Sequence, residues 1–292
     1  MILPKNLLHY WNRLSTSKPP ERKTVLRAAK NIGRLATLVV VAGVVLCAPA
    51  GIRVHAMSGQ ATPAKDTIDP ESMEALTNMG TYLRSLKAFQ VDADITNDDV
   101  LDDGQIVTIS RKTTLLAEKP NFLRVEIKSD DRDSFLFYDG KNFTIYGKLV
   151  NFYATVPAPP TTAELIKKID DNYGIEVPLV DLFLWGTDES TVKRITSAID
   201  VGPATIEGVT CEQYAFRQEG VDWQIWIQLG DFPLPRKLVI RTLTDEARPQ
   251  HTSILTWNVT PSYNEAAFTF DPPPGALRIA LQDLKASNKT DK

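Results

Sequence analysis

The sequence predicts a β-dominated α+β protein built on one long, curved, antiparallel sheet. Short segments alternate between apolar and polar residues, and turn signals separate them at regular intervals. Helical periodicity is confined to the start and the middle of the body. Because strands outnumber helices and follow one another directly, the pattern excludes the alternating α/β class. A sheet of ten or eleven strands must curl or close.

Residues 1–56 form a basic leader. They carry nine Lys or Arg and one acid, which leaves 24 basic and 35 acidic residues in the remainder, a net charge of −11. Leu35 to Ala50 is almost uncharged, is short for a membrane span and is typical of a signal peptide. We expect cleavage after Ala56 and a periplasmic body. The alternative is an inner-membrane anchor at residues 35–50. The acidic body excludes nucleic acid as a partner.

The N-terminal part of the body predicts one helix followed by strands. Residues 57–68 are small and polar and predict a linker. Asp69 and Pro70 then supply an N-cap and a first helical residue, and apolar residues recur at helical spacing as far as Ser85–Lys87. Strands follow with a period of two, and an acid-rich turn is expected from Asn97 to Gly104.

The stretch from Asp133 to Val156 predicts three short strands that are apolar on both faces. Turn signals divide it at Asp139-Gly140 and at Gly147-Lys148. We expect one face to be covered by the insert 161–195 and the other to line the concave side of the sheet.

The insert predicts a helix from Thr161 to about Asn172 that ends near Gly174. Val177 to Trp185 is apolar on every side, and a further short helix is expected from Thr187 to Ile195. We therefore predict a lid or plug whose members are Leu179, Phe183 and Trp185. Five more strands follow, at about 197–206, 209–218, 221–229, 236–244 and 250–260, and a polar tail spans 281–292.

No residue pattern indicates catalysis or metal binding. His251 has no second ligand at helical or strand spacing, and we expect it on an edge strand. The paired acids at 98–99, 102–103, 130–131 and 170–171 lack the spacing of a calcium loop and fit solvated turns. Cys211 is expected to be buried and inert. We therefore expect a protein that is not an enzyme and has no metal and no cofactor.

Four motifs occur in order along the body. They are a Lys-Pro turn that enters a strand within Ala117–Glu126, an Asp-Gly turn within Tyr138–Lys141, a Leu-Pro entry within Leu234–Leu238, and the closing Phe268–Ala276. Together they resemble the LolA/LolB-like superfamily, and within it a family of predicted bacterial periplasmic proteins. The resemblance covers a domain at 69–280. It implies an eleven-stranded half-barrel with helices covering an apolar concave side.

The resemblance also implies a binding function. Members of the superfamily carry or sense lipids or lipoproteins, so the partner expected here is a lipid, an acyl chain or a lipidated protein, and an envelope membrane protein is a further candidate partner. We expect a monomer. The predicted cavity lining consists of the following residues: Val91, Ile95, Ile109, Val125, Ile127, Tyr138, Ile145, Trp223, Ile225 and Trp257.

Two alternatives to a carrier stay open. In the first, the interior is filled by the protein's own side chains, and the chain is an envelope scaffold or regulatory interaction module. Exposed aromatic residues such as Trp226 would then contact the partner, although the pattern favours a Trp226 that packs under a loop or covers a cross-strand neighbour. The second alternative is a hydrolase of envelope material, for which no pair of carboxylates is singled out by the sequence.

Overall fold

The computed structural model describes residues 68–179 and 192–282. The predicted leader and most of the linker lie outside these residues, as do the tail from residue 283 and the expected helix at 187–195 up to residue 191. Within the described ranges, no helix has the length and apolar character that crossing a membrane requires.

Helix α1 comprises Pro70–Ser85 and begins where the sequence predicts. The Asp69 carboxylate accepts a hydrogen bond from the Ser72 backbone N–H at 2.8 Å, so it satisfies a donor that the first turn leaves unpaired. One stripe of the helix is buried, and its apolar members are Leu76, Met79 and Leu83.

Helix α2 comprises Thr162–Tyr173 and confirms the helix predicted in the insert. The Thr161 side chain accepts from the Glu164 backbone N–H. Gly174 ends the helix in the left-handed conformation, with a φ of 63°, and its N–H bonds back to the last turn. A residue without Cβ adopts that conformation at little cost, which explains why the helix stops there.

In the described part of the chain, twelve strands form one sheet. Their bounds are β1 Ala88–Val100, β2 Ile106–Glu118, β3 Phe122–Lys128, β4 Asp133–Tyr138, β5 Asn142–Gly147, β6 Phe152–Pro157, β7 Ser197–Ile206, β8 Val209–Gln218, β9 Val221–Gln228, β10 Pro235–Thr242, β11 Gln250–Asn258 and β12 Leu277–Arg278. The order across the sheet is β12-β6-β5-β4-β3-β2-β1-β11-β10-β9-β8-β7.

The chain builds the sheet as two meanders. Strands β1 to β6 run outward from the centre, and α2 lies on the connection to the opposite edge, where β7 begins a second meander that returns to the centre at β11. All pairs are antiparallel except β12 with β6. The sheet is curved and open, and α1 and α2 accompany it in the described residues, which confirms the predicted α+β class and the half-barrel implied by the resemblance. The short β12 adds a strand at the edge.

Two expectations about the strands are wrong. The turn expected from Asn97 to Gly104 begins too early, because β1 continues to Val100, which pairs with Ile106 of β2, and the chain turns only between these two residues. Between the paired strands the Thr108 hydroxyl donates to the Asp98 carboxylate at 2.8 Å, and this bond gives the acid a partner inside a strand. His251 is not on an edge strand, since β11 lies between β1 and β10.

Candidate functional site

The ten residues predicted to line a cavity all lie on one face of the sheet, the one that shares its core with the helices, and we call it the concave face. The register shows this directly, since Val91 pairs with Leu115, Leu115 with Val125, Val125 with Leu136 and Leu136 with Ile145. On the other side of β1, Ile95 pairs with Ser253, which connects through Leu238 to Ile225. The sequence alternation therefore assigned these side chains to one common face, and their role in lining a cavity stays a prediction.

The centre of this face is deeply buried. Val91, Val125, Tyr138 and Ile225 have 0% of their surface exposed, and Ile95, Ile127 and Trp223 are also buried. Ile109, Ile145 and Trp257 are half-buried. The central side chains are thus sealed from water by other atoms of the protein, and the outer members of the set retain some access.

Both helices belong to the same hydrophobic core as the concave face. Leu76, Met79 and Leu83 of α1 and Leu165 and Ile169 of α2 are buried in the cluster that contains the concave strand residues. The helices therefore form a roof over this face. The roof closes the apolar side of an antiparallel sheet that would otherwise face water.

Tyr138 connects the sheet to the segment that leads into α2. Its hydroxyl donates to the Pro159 carbonyl at 2.6 Å. Burial raises the pKa of Tyr138 to about 12, and the charges of Glu164 and Asp139 act in the same direction. The Thr162 backbone N–H and hydroxyl both donate to the Pro120 carbonyl, at 2.9 and 3.0 Å. These bonds fix the beginning of α2 against the sheet.

Part of the predicted lid lies within the described chain. Leu179 is half-buried and packs against the core, and its φ of 60° places a branched side chain in the left-handed region. That region is unfavourable for residues other than glycine. Phe183 and Trp185 lie outside the described residues.

A polar group whose partners sequence analysis did not identify lies on the concave face. The His251 ring joins Asn97 Oδ1 through Nδ1 at 2.5 Å and Ser253 Oγ through Nε2 at 2.6 Å. Burial, together with the charge of Arg111, lowers the pKa of His251 to about 4. At neutral pH the ring is therefore uncharged. The sequence contained one signal for this site. Asn97 continues the alternation of buried residues in β1 beyond Ile95, so its side chain belongs to the same face.

The convex face of β4 to β6 carries a second apolar surface, which we call the convex aromatic cluster. Its members are Phe135, Phe137, Tyr146, Tyr153 and Phe270. Phe270 comes from the C-terminal segment, and its ring centroid lies 5.1–5.4 Å from those of Phe137, Tyr146 and Tyr153. The expectation that the insert 161–195 covers this face is wrong for α2, which packs on the concave side.

The C-terminal segment 259–279 runs from the end of β11 to the far edge of the sheet. Phe268 is buried against Phe122 and Tyr263. Beyond it, the Leu277 and Ile279 backbone N–H groups donate to Asn151 and Tyr153 carbonyls. The prolines at 272–274 precede this edge pairing, as their missing N–H donors require.

Trp226 and Cys211 are buried rather than available to a partner. Trp226 is 7% exposed, and the Lys237 ammonium lies 4.6 Å from its ring centroid, so this tryptophan covers a cross-strand neighbour. The alternative that Trp226 is an exposed contact is wrong. Cys211 is buried as expected, and burial raises the pKa of its thiol. In the described parts of the chain, no group of three or more His, Cys, Asp or Glu residues is arranged to hold a metal ion.

The sequence matches one family model, described as predicted periplasmic protein (DUF2092), over residues 72–282. A search of curated proteins finds no significant match. Similar solved structures include an uncharacterized conserved protein from Thermus thermophilus, with 13% identity, a TM-score of 0.40, and coverage of 72% of this chain and 99% of that one. LprF from Mycobacterium bovis has 12% identity and a TM-score of 0.37, with coverage of 72% and 99%. A LolA superfamily protein from Nitrosomonas europaea has 8% identity and a TM-score of 0.33, with coverage of 68% and 98%.

Proposed function

The chain belongs to the family of predicted periplasmic proteins DUF2092, and on that premise we propose that it is a periplasmic binding protein. It holds a lipid, an acyl chain or a lipidated protein against the concave face and carries or senses it. It acts as a monomer, without catalysis, after the leader has been cleaved following Ala56. An envelope membrane protein would load or receive the ligand.

One observation carries this proposal: an uninterrupted apolar row crosses the concave face. Its members are Val91, Leu115, Val125, Leu136, Ile145 and Ala154, one from each of β1 to β6. Adjacent strands lie about 4.8 Å apart, so the row is roughly 24 Å long. An extended acyl chain fits such a row, because it offers apolar surface along its whole length and requires no hydrogen-bond partner.

Binding requires the roof to move. Because the central residues of the row have no surface exposed to water, a ligand reaches them only if part of the helical roof moves away. The predicted lid residues Leu179, Phe183 and Trp185 follow α2 in the sequence. Each ligand methylene that is buried contributes about 0.8 kcal/mol to the free energy of binding, so ten methylenes contribute roughly 8 kcal/mol. Part of this offsets the cost of association and of opening the roof.

A second candidate function is favoured by the same burial. If Val91, Val125 and Ile225 stay sealed at all times, the core is only structural. The chain is then an envelope scaffold or regulatory interaction module, and its contacts are made through its outer surfaces and strand edges. The two candidates differ in whether the roof opens.

The first test is native mass spectrometry of the protein purified from a bacterial envelope without detergent. We expect an added mass that corresponds to about one lipid or acyl chain per protein. A bare polypeptide, both before and after incubation with envelope lipid extract, would favour the scaffold. The intact N-terminal mass shows in the same spectrum whether cleavage follows Ala56.

A matched pair of variants connects binding to the face. Trp257 is half-buried on the concave side, and Thr256 is its exposed neighbour on the convex side. Trp257→Glu places a charge beside the apolar row and should weaken binding of a dansyl-labelled fatty acid at least tenfold. Thr256→Glu should leave the affinity within twofold. Equal weakening by both variants would show that the concave face is not where the probe binds.

A further inference from the structure

Strand β2 extends well beyond its neighbour β3. Lys112–Glu118 of β2 pair with β3, whereas Ile106–Arg111 pair with β1 alone. On the β3 side of Ile106–Arg111, the described residues provide no strand. Ile106 is 44% exposed and Val107 is 37% exposed, and Thr108 and Ser110 are exposed as well. We call this unpaired stretch, Ile106–Arg111, the β2 ledge.

The direction of the backbone groups on the ledge follows from the hairpin. The Leu101 N–H donates to the Gln105 carbonyl, and at the other end of the strand the Lys119 N–H donates to the Lys87 carbonyl, both at 2.8 Å. Hydrogen-bonded pairs alternate in an antiparallel ladder, so odd-numbered residues of β2 direct their backbone groups toward β1. Ile106, Thr108 and Ser110 therefore direct their N–H and C=O groups outward, at the open side.

The two true edges of the sheet are protected and the ledge is not. On β7 a register shift between Asp200 and Gly202 interrupts the ladder, Pro203 removes a donor, and Ile68 forms a bridge to Ala198. At the opposite edge β12 is only two residues long. Bulges, prolines and short edge strands are the usual means of preventing unwanted pairing. The ledge has no proline and no bulge, and its isoleucine, valine and threonine residues favour strand formation.

The charges around the ledge favour a cationic partner. Val107 and Ile109 present apolar groups on the concave side, and Lys112 is already paired with Asp94 at 2.7 Å. The charged residues at the open end of the hairpin, positions 97–111, and those at positions 128–132 beside it are six acids and three bases. They are Asp98, Asp99, Asp102, Asp103, Asp130 and Asp131 with Arg111, Lys128 and Arg132.

We propose that the β2 ledge is a docking site for an extended, cationic segment of a partner protein, which pairs with Ile106, Thr108 and Ser110 as an added strand. Main-chain hydrogen bonds supply affinity in this mode of recognition, and alternate side chains supply specificity. Apolar side chains of the segment pack on Val107 and Ile109. Basic side chains on its other face meet the surplus of carboxylates. The site shares Ile109 with the predicted lining of the concave face, but its hydrogen-bonding groups lie on the open side of β2.

The test uses a fluorescein-labelled heptapeptide in which lysine and valine alternate, titrated with the full chain. Fluorescence anisotropy should show saturable binding that weakens as salt is raised. The same peptide with glutamate in place of lysine should bind at least tenfold more weakly. Thr108→Pro deletes an outward N–H without removing a bond to β1, and should weaken binding at least tenfold. Thr108→Ala removes the same side-chain bond to Asp98 but keeps the N–H, and should bind within twofold of the natural chain.

Hydrogen exchange of the natural chain gives a readout that does not depend on a variant folding. The amides of Ile106, Thr108 and Ser110 should exchange quickly in the free protein and at least tenfold more slowly with the lysine–valine peptide. Those of Val107 and Ile109 should be protected in both states. Unchanged exchange at the three outward amides, or equal binding of both peptides, would overturn the proposal. Dimerisation without peptide that Thr108→Pro abolishes would assign the ledge to a second copy of the chain instead.

Discussion

Strands β4 to β6 are apolar on both faces, and the two faces are closed by different means. The concave side combines aliphatic residues, such as Leu136, with the buried rings of Tyr138 and Phe143, and helices roof it and seal its centre. The convex side is aromatic and is covered by an extended segment from the C-terminus, which leaves most of its rings half-buried. A helix covers several strands with a broad apolar stripe, whereas an extended segment contributes isolated side chains. Substitutions should therefore cost more on the concave face than on the convex one.

The largest effect is expected at Val125, whose side chain is fully buried on the concave face. Val125→Asp buries a carboxylate without a partner, and we expect the loss of at least about 4 kcal/mol of unfolding free energy, enough to prevent cooperative folding. Urea denaturation followed by circular dichroism measures it. Glu126→Gln, one residue along and on the other face, should change stability by less than about 0.5 kcal/mol. A folded, stable Val125→Asp protein would mean that the concave face is open to water.

The second effect is a dependence of the unfolding free energy on pH, which arises from His251 on the concave face. Its folded-state pKa of about 4 lies below the ordinary value of 6.5, so the unfolded chain binds a proton that the folded chain does not. The resulting stability is complete above pH 6.5 and is lost as the pH falls toward 4. Each unit of pH in that window should cost roughly 1.4 kcal/mol, or about 3 kcal/mol in total.

Urea unfolding at pH 7 and at pH 4.5 measures this loss, with His251→Gln as the control. The carboxylates titrate in both proteins, so the difference between the two pH profiles isolates the histidine. Parallel profiles would show that the ring is accessible to protons in the folded state, and hence that the roof over this part of the face is loose.

A smaller effect is expected on the convex side. Phe270→Ala removes three ring contacts from a half-buried position, and should cost about 1–3 kcal/mol. It should also release the C-terminal segment, which limited proteolysis between residues 259 and 279 would detect. Thr269→Ala, at the exposed neighbouring position, should leave both stability and cleavage unchanged. If Phe270→Ala lowered the unfolding free energy as much as Val125→Asp does, the two faces would not differ in their contribution to stability.

The smallest effect is expected at Arg124, whose guanidinium lies 5.7 and 5.5 Å from the Phe135 and Phe137 ring centroids. Its Nε is buried without a hydrogen-bond partner, which offsets part of the attraction. Arg124→Met keeps the apolar stem over the rings and should cost less than about 1 kcal/mol. Arg124→Ala exposes the rings and should cost more, so equal unfolding free energies for the two variants would show that the stem contributes nothing.

Most of the secondary structure was predictable because its causes are local. Asp69 and Pro70 mark the start of α1, and Thr161 and Gly174 mark the ends of α2, since capping depends on residues within one turn. The extent of β1 was not predictable in this way. Asp98 and Asp99 favour a turn when considered alone, and only pairing with β2 keeps them in a strand.

The sequence predicted which side of the sheet the candidate site residues occupy, but not which contacts side chains make with neighbouring strands. Alternation assigned all ten proposed lining residues to one side of the sheet, because the period of two is a property of each strand. It could not show that Trp226 lies beneath Lys237, or that His251 joins Asn97, because each pair comes from two strands that are adjacent only in the folded sheet.

The sequence by itself determined the acidic body, the α+β class, the strand alternation and the family, since each depends on residue types and short spacings. The tertiary structure alone decided which cover closes each face, that β11 is central, and that β2 extends past β3 to leave an open ledge. These features depend on the order and register of strands far apart in the chain. Register is set by the packing of the whole sheet, and no short segment contains that information.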